Sequence, residues 1–597
     1  MSMEERSARK PSELWAIEDL FPSDESWEAE LTSLRELMTR LPAYQGKLGT
    51  SAETLYEYMQ LDETLSVLLD RLANYAQRRS DEDTRIARYQ AMTDAITAAW
   101  VEASSASSFE TPELLSIPDE TLDEFYRQQP KLTLYRRYFD NIRRKRAHIL
   151  SPAEEKLLSG TGEMAQSPDN IYSMFSDADL KFRDAVDSQG VPHPVTQSSF
   201  VQLLEKPDRV LRRDAFTSYY EPLSQFRNTL AATLSAQIKQ QQFYARARNY
   251  ASPLEASLDG NNVPVQVYHN LIAAVNQNLN KLHRYVDLRR RLLGLDELHM
   301  YDIYAPLVPD ASREIPFEEA KETVFAALAP LGSSYQSILR EGYDKRWIDV
   351  YPNPGKRSGA YSAGARIHPY VLLNYTGTLD SQFTLAHEMG HAIHSYRSNR
   401  DQPVIYSDYV IFVAEVASTC NEALLMEHLL AKTTDKKERA ALINHFLEQF
   451  KGTLYRQTMF AEFELRMGEM NAAGEALTAE ALCREYRDLN ERYFGPGLVL
   501  DQQIDLEWAR IPHFYYNYYV FQYATGYAAA IALSRRILKE GEPAVQDYLA
   551  FLSGGCSKDP IDLLKDAGVD MTASEPVEQA LALFDELLDE MERLMEA

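Results

Sequence analysis

The most constraining feature of this sequence is the pattern H-E-x-x-H at residues 387–391, which indicates a helix at that point of the chain. In a helix, residues i and i+4 lie on the same face, so His387 and His391 can both approach one metal ion. Imidazole nitrogens are ligands that Zn²⁺ prefers in proteins. Glu388 then lies beside the metal, where its carboxylate can accept a proton from water. The motif therefore favours a catalytic zinc site over a surface helix with two unrelated histidines.

A catalytic zinc ion usually has a third protein ligand, and two candidates follow the motif along the chain. Glu415 is a lone carboxylate in an apolar run of the next predicted helix. Burying it without a partner is unfavourable; a zinc ion would supply that partner, as would a buried arginine or a backbone donor. His394 would require three ligands from one helix, whose extra turn carries this side chain past the metal. We therefore predict Glu415 as the third ligand. Glu422, two turns further on, could hold one imidazole by its other ring N–H or could be an ordinary surface acid.

Charge and composition exclude other classes of function. The chain has 62 basic and 89 acidic side chains, a net charge of −27, so most of its surface would repel nucleic acid. Glycine is scarce, with 24 residues, which favours helices over sheets. Residues 513–534 carry no charged side chain, but tyrosines occur along the whole stretch rather than at its edges, unlike a membrane span. We expect a buried helix that lines a polar cavity, and no membrane partner.

The cysteines and the N-terminus bear on the compartment. The three cysteines, Cys420, Cys483 and Cys556, are widely spaced and odd in number, so they predict neither a disulfide framework nor a C-x-x-C metal site. The first six residues run into charged side chains without an apolar stretch, unlike a signal peptide. Both observations favour a reducing, cytoplasmic compartment.

The predicted organisation has an N-terminal helical region, residues 1–200, and a catalytic region, residues 201–597. Turn residues at 187–190 between two short Val-containing segments predict a hairpin. Extended segments are predicted at 300–307, 359–363 and 369–375. A strand directly before the H-E-x-x-H helix could offer its edge to an extended peptide, or could be a buried strand of a small sheet.

Several motifs together carry a family resemblance. They are Gly359-Ala360-Tyr361-Ser362, residues 385–391, Glu415-Val416-Ala417-Ser418-Thr419 with Asn421-Glu422, Pro512-His513-Phe514-Tyr515-Tyr516, and the early stretch Trp15–Phe21. This combination resembles the oligoendopeptidase F family, a branch of the thimet-oligopeptidase group of zinc metallopeptidases. The motifs extend from residue 15 to residue 516, so the resemblance covers nearly the whole chain.

The resemblance implies a mainly α fold, with lobes that enclose a deep channel and a small β-sheet beside the zinc helix. It implies zinc ligands at His387, His391 and Glu415, and Glu388 as the catalytic residue. The expected activity is hydrolysis of internal bonds in short peptides, which would be the partners of this chain.

The tyrosine-rich stretch after residue 512 is the expected source of hydrogen-bond donors. The family carries His and Tyr residues in this region, and such donors suit the oxyanion of peptide hydrolysis. We predict this role for His513, Tyr516 and Tyr523. The spacing of the tyrosines departs from the thimet-oligopeptidase pattern, so an aromatic cavity lining without a catalytic part is the alternative.

Two other functions compete with the endopeptidase hypothesis. A dipeptidyl carboxypeptidase, as in the angiotensin-converting-enzyme group, also uses H-E-M-G-H, but its Gly-Phe-His-Glu-Ala segment is absent here. An inactive helical peptide-binding protein is the second alternative, and the intact Glu388 and Glu415 argue against it.

Overall fold

Helices make up most of the chain, as the low glycine content and the abundance of Leu, Ala and Glu predict. The computed structural model describes residues 4–308 and 313–596. Within these ranges the strands are only two or three residues long. The prediction of a mainly α fold is confirmed.

The α-helices are, in chain order, α1 (Asp24–Met38), α2 (Ala52–Glu82), α3 (Ala87–Ala106), α4 (Glu110–Ser116), α5 (Asp119–Gln128), α6 (Arg136–Arg144), α7 (Pro152–Gly160), α8 (Gly162–Ala165), α9 (Ser167–Met174), α10 (Ser199–Leu204), α11 (Arg209–Ala247), α12 (Pro253–Asp259), α13 (Val265–Gln277), α14 (Leu279–Leu292), α15 (Phe317–Ala327), α16 (Gly332–Asp344), α17 (Leu379–Asp401), α18 (Ile411–Lys432), α19 (Lys436–Gln449), α20 (Arg456–Ala472), α21 (Ala479–Phe494), α22 (Phe521–Glu540), α23 (Glu542–Leu552), α24 (Pro560–Asp566) and α25 (Glu575–Glu596). The strands are β1 (Ala185–Val186), β2 (Pro192–His193), β3 (Leu298–His299), β4 (Ile348–Asp349), β5 (Tyr361–Ala363), β6 (Tyr370–Leu372) and β7 (Leu498–Val499).

The described residues form two compact units, each built from three stretches of chain. The first unit comprises Met1–Ala147, Ser312–Leu425 and Leu533–Gly568, and the second comprises His148–Ala311, Met426–Ala532 and Val569–Ala597. These units describe packing, and the division of the sequence at residue 200 stays a prediction.

The first unit contains the H-E-x-x-H helix and a small sheet. The sheet has the strand order β4-β6-β5, with β6 parallel to β4 and antiparallel to β5. Helix α17 packs on β5 and β6. The prediction of a small sheet beside this helix is confirmed, as are the extended segments that contain β5 and β6. In the same unit, helices α1 to α6 share a hydrophobic core that includes Trp15, Trp27 and Leu55 and extends to Tyr370 of β6.

The second unit is organised around the long helix α11, which packs against α9, α10, α20 and α21. The hairpin predicted at 187–190 is confirmed, because β1 and β2 pair antiparallel on either side of that turn. Strand β3 pairs in parallel with β7. The extended segment predicted at 300–307 is wrong: Met300–Asp302 is a 3-10 helix, in which Asp302 accepts the His299 N–H, and turns and bends follow it rather than a strand. No helix among the described residues is long and apolar enough to span a bilayer.

Candidate metal centre and catalytic residues

Helix α17 presents the two histidines of the motif on one face. The helix begins after Thr378, whose hydroxyl accepts the Ser381 N–H at 3.1 Å. One turn apart, the His387 and His391 rings have centroids 4.8 Å apart, and their Nε2 atoms are 3.1 Å apart. Both nitrogens therefore point toward the same small volume beside the helix.

Glu415 of α18 completes this group. Its Oε2 atom lies 3.4 Å from Nε2 of His387 and 3.5 Å from Nε2 of His391. Ligands held about 2.0–2.1 Å from a tetrahedral metal ion are separated by about 3.4 Å, so the three observed separations fit one ion. Among the described residues, one group of His, Cys, Asp and Glu side chains brings its ligand atoms close enough to hold a metal ion, and it consists of His387, His391 and Glu415. Two imidazoles and one carboxylate are also the donor set of many catalytic zinc sites.

Burial and hydrogen bonds together set the protonation of this group. Burial opposes the ionisation of Glu415, but hydrogen bonds from the two imidazoles lower its pKa. Nδ1 of His387 lies 2.5 Å from Oε1 of Glu422. Because the carboxylate of Glu422 fixes the proton on Nδ1, the Nε2 lone pair of His387 is free for a metal. Burial lowers the pKa of His387, but the hydrogen bonds to Glu415 and Glu422 outweigh it and raise the pKa, so protons compete with a metal here.

Glu388 lies beside the group without belonging to it. The residue is 6% exposed, and its Oε2 atom is buried with no hydrogen-bond partner among the described residues. Burial raises the pKa of this carboxyl group, against the opposing effect of His387 and His391. An unpartnered acceptor with a raised pKa is suited to taking a proton from water and releasing it again.

The approach of α17 to α18 depends on residues to which the sequence alone assigned no role. A Cβ atom at Gly390 would lie 2.6 Å from Cα of Ser418, so glycine is required where the two helices touch. Asn421 of α18 donates to the Ala386 carbonyl at 3.0 Å and accepts the Tyr335 hydroxyl at 2.8 Å. A glycine inside a helix and a lone amide in an apolar run were the available signals for this contact.

His394, the alternative third ligand, lies elsewhere. Its ring is buried and stacks on Tyr409, with centroids 3.7 Å apart and planes 6° apart. Burial, followed by the charge of His391, lowers the pKa of His394 to about 3, so this imidazole stays neutral. The structure therefore places it in the aromatic packing of the first unit.

The predicted donors His513, Tyr516 and Tyr523 lie in the second unit and form one aromatic cluster there. The ring of His513 lies 5.4 Å from that of Tyr516 and 6.0 Å from that of Tyr523. Tyr519, for which the sequence predicts no separate role, joins the cluster with ring centroids 6.2 Å from His513 and 5.5 Å from Tyr523. Nothing in the sequence distinguished Tyr519 from its tyrosine neighbours. The uncharged stretch is a buried helix only from Phe521 onward, because Pro512–Tyr515 is a 3-10 helix.

Comparisons with known proteins agree on one family. The profile of the family described as "Peptidase family M3" matches residues 202–583, and the one described as "Oligopeptidase F" matches residues 113–182. The Bacillus subtilis protein named Oligopeptidase PepF is 48% identical over 592 residues, which is 99% of this chain and 88% of that protein.

Two crystal structures show the same fold. The oligoendopeptidase-F of Enterococcus faecium is 37% identical with a TM-score of 0.76, over 96% of this chain and 99% of that one. A Chlamydophila abortus protein is 35% identical with a TM-score of 0.93, over 99% of this chain and 100% of that one.

Proposed function

Since this chain belongs to peptidase family M3 and to its oligopeptidase F group, a family of metallopeptidases that act on oligopeptides, we propose that it is a zinc-dependent oligoendopeptidase. The observation that carries the proposal is the convergence of two imidazole nitrogens and one carboxylate oxygen with mutual separations of 3.1–3.5 Å. These separations suit a tetrahedral ion, and the donor types suit zinc.

In this proposal His387, His391 and Glu415 hold the zinc ion. When bound, zinc supplies the Lewis acidity that makes water nucleophilic near neutral pH and polarises a carbonyl group. Glu422 keeps His387 in the required tautomer through its contact with Nδ1.

Glu388 is the proposed general base and acid. Its carboxylate takes the proton of the attacking water and afterwards delivers it to the nitrogen of the leaving amine. The low exposure of this side chain favours the first step, because burial raises the pKa of the carboxyl group and so makes the carboxylate a stronger base. His513, Tyr516 and Tyr523 remain proposed hydrogen-bond donors to the substrate. The deep channel implied by the family resemblance also remains a prediction, which substrate length can test.

The substitution Glu388→Gln tests the mechanism, because an amide cannot accept the proton. We expect unchanged zinc content and thermal stability, and a loss of turnover of about 10²–10⁴-fold with a quenched fluorescent peptide. Glu341→Gln is the control, since Glu341 of α16 makes its ion pair with Lys345. Near-normal turnover by Glu388→Gln would show that another group is the base.

Product analysis separates the proposal from its alternatives. An endopeptidase releases internal fragments, which mass spectrometry identifies. Release of C-terminal dipeptides alone would favour the carboxypeptidase alternative. Binding of peptides without cleavage by the zinc-loaded protein would favour the inactive binding protein.

A further inference from the structure

The chain bends at residues 516–518 in an unfavourable backbone conformation, and this bend is called the reversal. Between the 3-10 helix Pro512–Tyr515 and the start of α22, Asn517 and Tyr518 both have φ of +56°. Residues that carry a Cβ atom rarely adopt this left-handed region, and two in succession must be held by their surroundings. The reversal therefore depends on contacts outside the segment.

The aromatic side chains near the reversal fall into a buried group and an exposed group. Tyr515 and Tyr518 are buried, with 6% and 5% of their surface exposed, whereas Tyr516 is 49% exposed. Tyr516 belongs to the cluster that also contains His513, Tyr519 and Tyr523. Buried Tyr518 lies in the backbone between exposed Tyr516 and the cluster member Tyr519, so a displacement of Tyr518 acts on both neighbours through the chain.

The ring of Tyr518 occupies a slot on helix α20 that only glycine leaves open. A Cβ atom at Gly468 would lie 2.2 Å from the Tyr518 hydroxyl oxygen and 3.6 Å from Cζ. Tyr268 of α13 forms another wall of the slot, edge to face with Tyr518 at a centroid distance of 5.8 Å. The hydroxyl oxygen of Tyr518 is therefore the single atom that an alanine at position 468 would displace.

Hydrogen bonds hold the backbone on both sides of the reversal. The Tyr518 N–H donates to Oε1 of Glu464 at 3.0 Å, and the Ser257 hydroxyl donates to the Asn517 carbonyl at 2.7 Å. Gln237 donates to the Tyr515 carbonyl at 2.8 Å. Glu464 is buried, and its Oε2 atom has no hydrogen-bond partner among the described residues.

Glu464 therefore does not act as an ion-pair partner. Burial raises its pKa to about 8, an effect that the Tyr518 N–H partly offsets, so the group is mainly protonated near neutral pH. A neutral carboxyl group can still accept the Tyr518 N–H through its carbonyl oxygen. What it contributes at this position is an acceptor for a backbone donor that the reversal would otherwise leave buried and unpaired.

We propose that Glu464, Gly468 and Tyr518 form a lock that positions the aromatic donor cluster for catalysis. The inference rests on the proposed function, in which His513, Tyr516 and Tyr523 stabilise developing charge on the substrate. The three residues of the lock are positioning residues, since they act through the cluster. Donors that act on the transition state affect kcat more than KM, so release of the lock lowers kcat.

The substitution Gly468→Ala displaces the Tyr518 ring by steric contact alone. We expect kcat to fall by about 10–100-fold, the scale of a misplacement of about 1 Å, with KM changed by less than about threefold. Amides of residues 514–521 should lose protection in hydrogen exchange, while the rest of α20 keeps it. Gly452→Ala is the matched control, because a Cβ atom there meets nothing within 4 Å.

The double variant Gly468→Ala/Tyr518→Phe removes the oxygen that clashes. It should regain kcat to within about threefold of the Tyr518→Phe single variant and restore protection of residues 514–521, since the alanine Cβ then faces Cζ at an ordinary distance. A double variant as slow as Gly468→Ala would overturn the lock, as would normal kcat and normal exchange in Gly468→Ala itself.

Two substitutions at Glu464 test the backbone contact. Glu464→Gln keeps an acceptor for the Tyr518 N–H and resembles the protonated carboxyl group, so it should preserve kcat and exchange protection. Glu464→Leu removes the acceptor and should lower both. Equal kcat in the two variants would overturn the assigned role of Glu464. Failure of the proposed function would appear instead in the unmodified protein, as absence of peptide cleavage, and hydrogen exchange would still report on the lock.

Discussion

The contact between α17 and α18 predicts a specific effect of Gly390→Ala. The added Cβ would lie 2.6 Å from Cα of Ser418 and 2.8 Å from the Ala417 carbonyl oxygen, where ordinary contacts begin at 3.4 Å. Both neighbours are backbone atoms, so no side chain can rotate away. The helices must therefore separate by about 0.8 Å, the difference between the closest contact and an ordinary one.

This separation acts directly on the proposed metal ligands. Glu415 precedes Ser418 by one helical turn and moves with it, whereas the two histidines move with α17. Metal–ligand distances tolerate deviations of about 0.2 Å, less than the expected displacement. We expect zinc affinity to fall by about 10–100-fold, the range seen when the residues that orient metal ligands are lost. Overpacking should also lower the free energy of unfolding by about 1–3 kcal/mol.

Competition with a chromophoric chelator measures the affinity, and thermal unfolding with and without added zinc measures the stability. Gly160→Ala is a suitable control, since a Cβ at this last residue of α7 meets nothing within 4 Å. Zinc affinity of Gly390→Ala within about twofold of the unmodified chain would refute the reasoning, because the helix contact would then not set the ligand geometry.

Three further predictions follow from the described contacts and from the family. Glu422→Ala should weaken zinc binding by about 10–100-fold while the fold survives, because His387 loses the partner of its Nδ1 atom. Chelator competition measures the affinity, and an unchanged affinity would show that Glu422 is an ordinary surface acid. Burial, with the nearby Glu110 and Glu63, raises the pKa of Asp62 to about 7 from 3.8, so the folded state loses stability as pH rises between these values. Asp62→Asn should therefore raise Tm, and the difference in Tm from the unmodified chain should grow from pH 4 to pH 7. A difference in Tm that stays constant over this range would contradict the raised pKa of Asp62. Peptides of about 5–20 residues should be cleaved internally, whereas native folded proteins, which would have to unfold against about 5–15 kcal/mol, should resist cleavage on the same timescale.

The sequence by itself determined the local features of the site. The i, i+4 spacing of His387 and His391 places both on one helix face in any fold that keeps the helix, because the repeat of 3.6 residues is a property of the backbone. The apolar run around Glu415 likewise indicated a helix with one acid that required a partner. The family motifs extended these local predictions to nearly the whole chain.

Only the tertiary structure decided which distant atoms meet. Oε2 of Glu415 comes within 3.5 Å of both imidazoles because Gly390 allows the backbones of α17 and α18 to touch. The spacing of residues along the chain contains no information about this distance. The same is true of the parallel pairing of β4 with β6, which joins segments about twenty residues apart.

The tyrosine-rich stretch after residue 512 shows most clearly what the sequence alone cannot predict. Its pattern predicted one continuous buried helix, but the chain bends at Asn517 and Tyr518, both with positive φ, before the helix begins at Phe521. The conformation of that reversal is stabilised by Glu464 and Gly468, about fifty residues earlier in the chain. A left-handed backbone at residues with side chains is locally unfavourable, so local sequence predicts against it, and only packing against α20 makes it the stable arrangement.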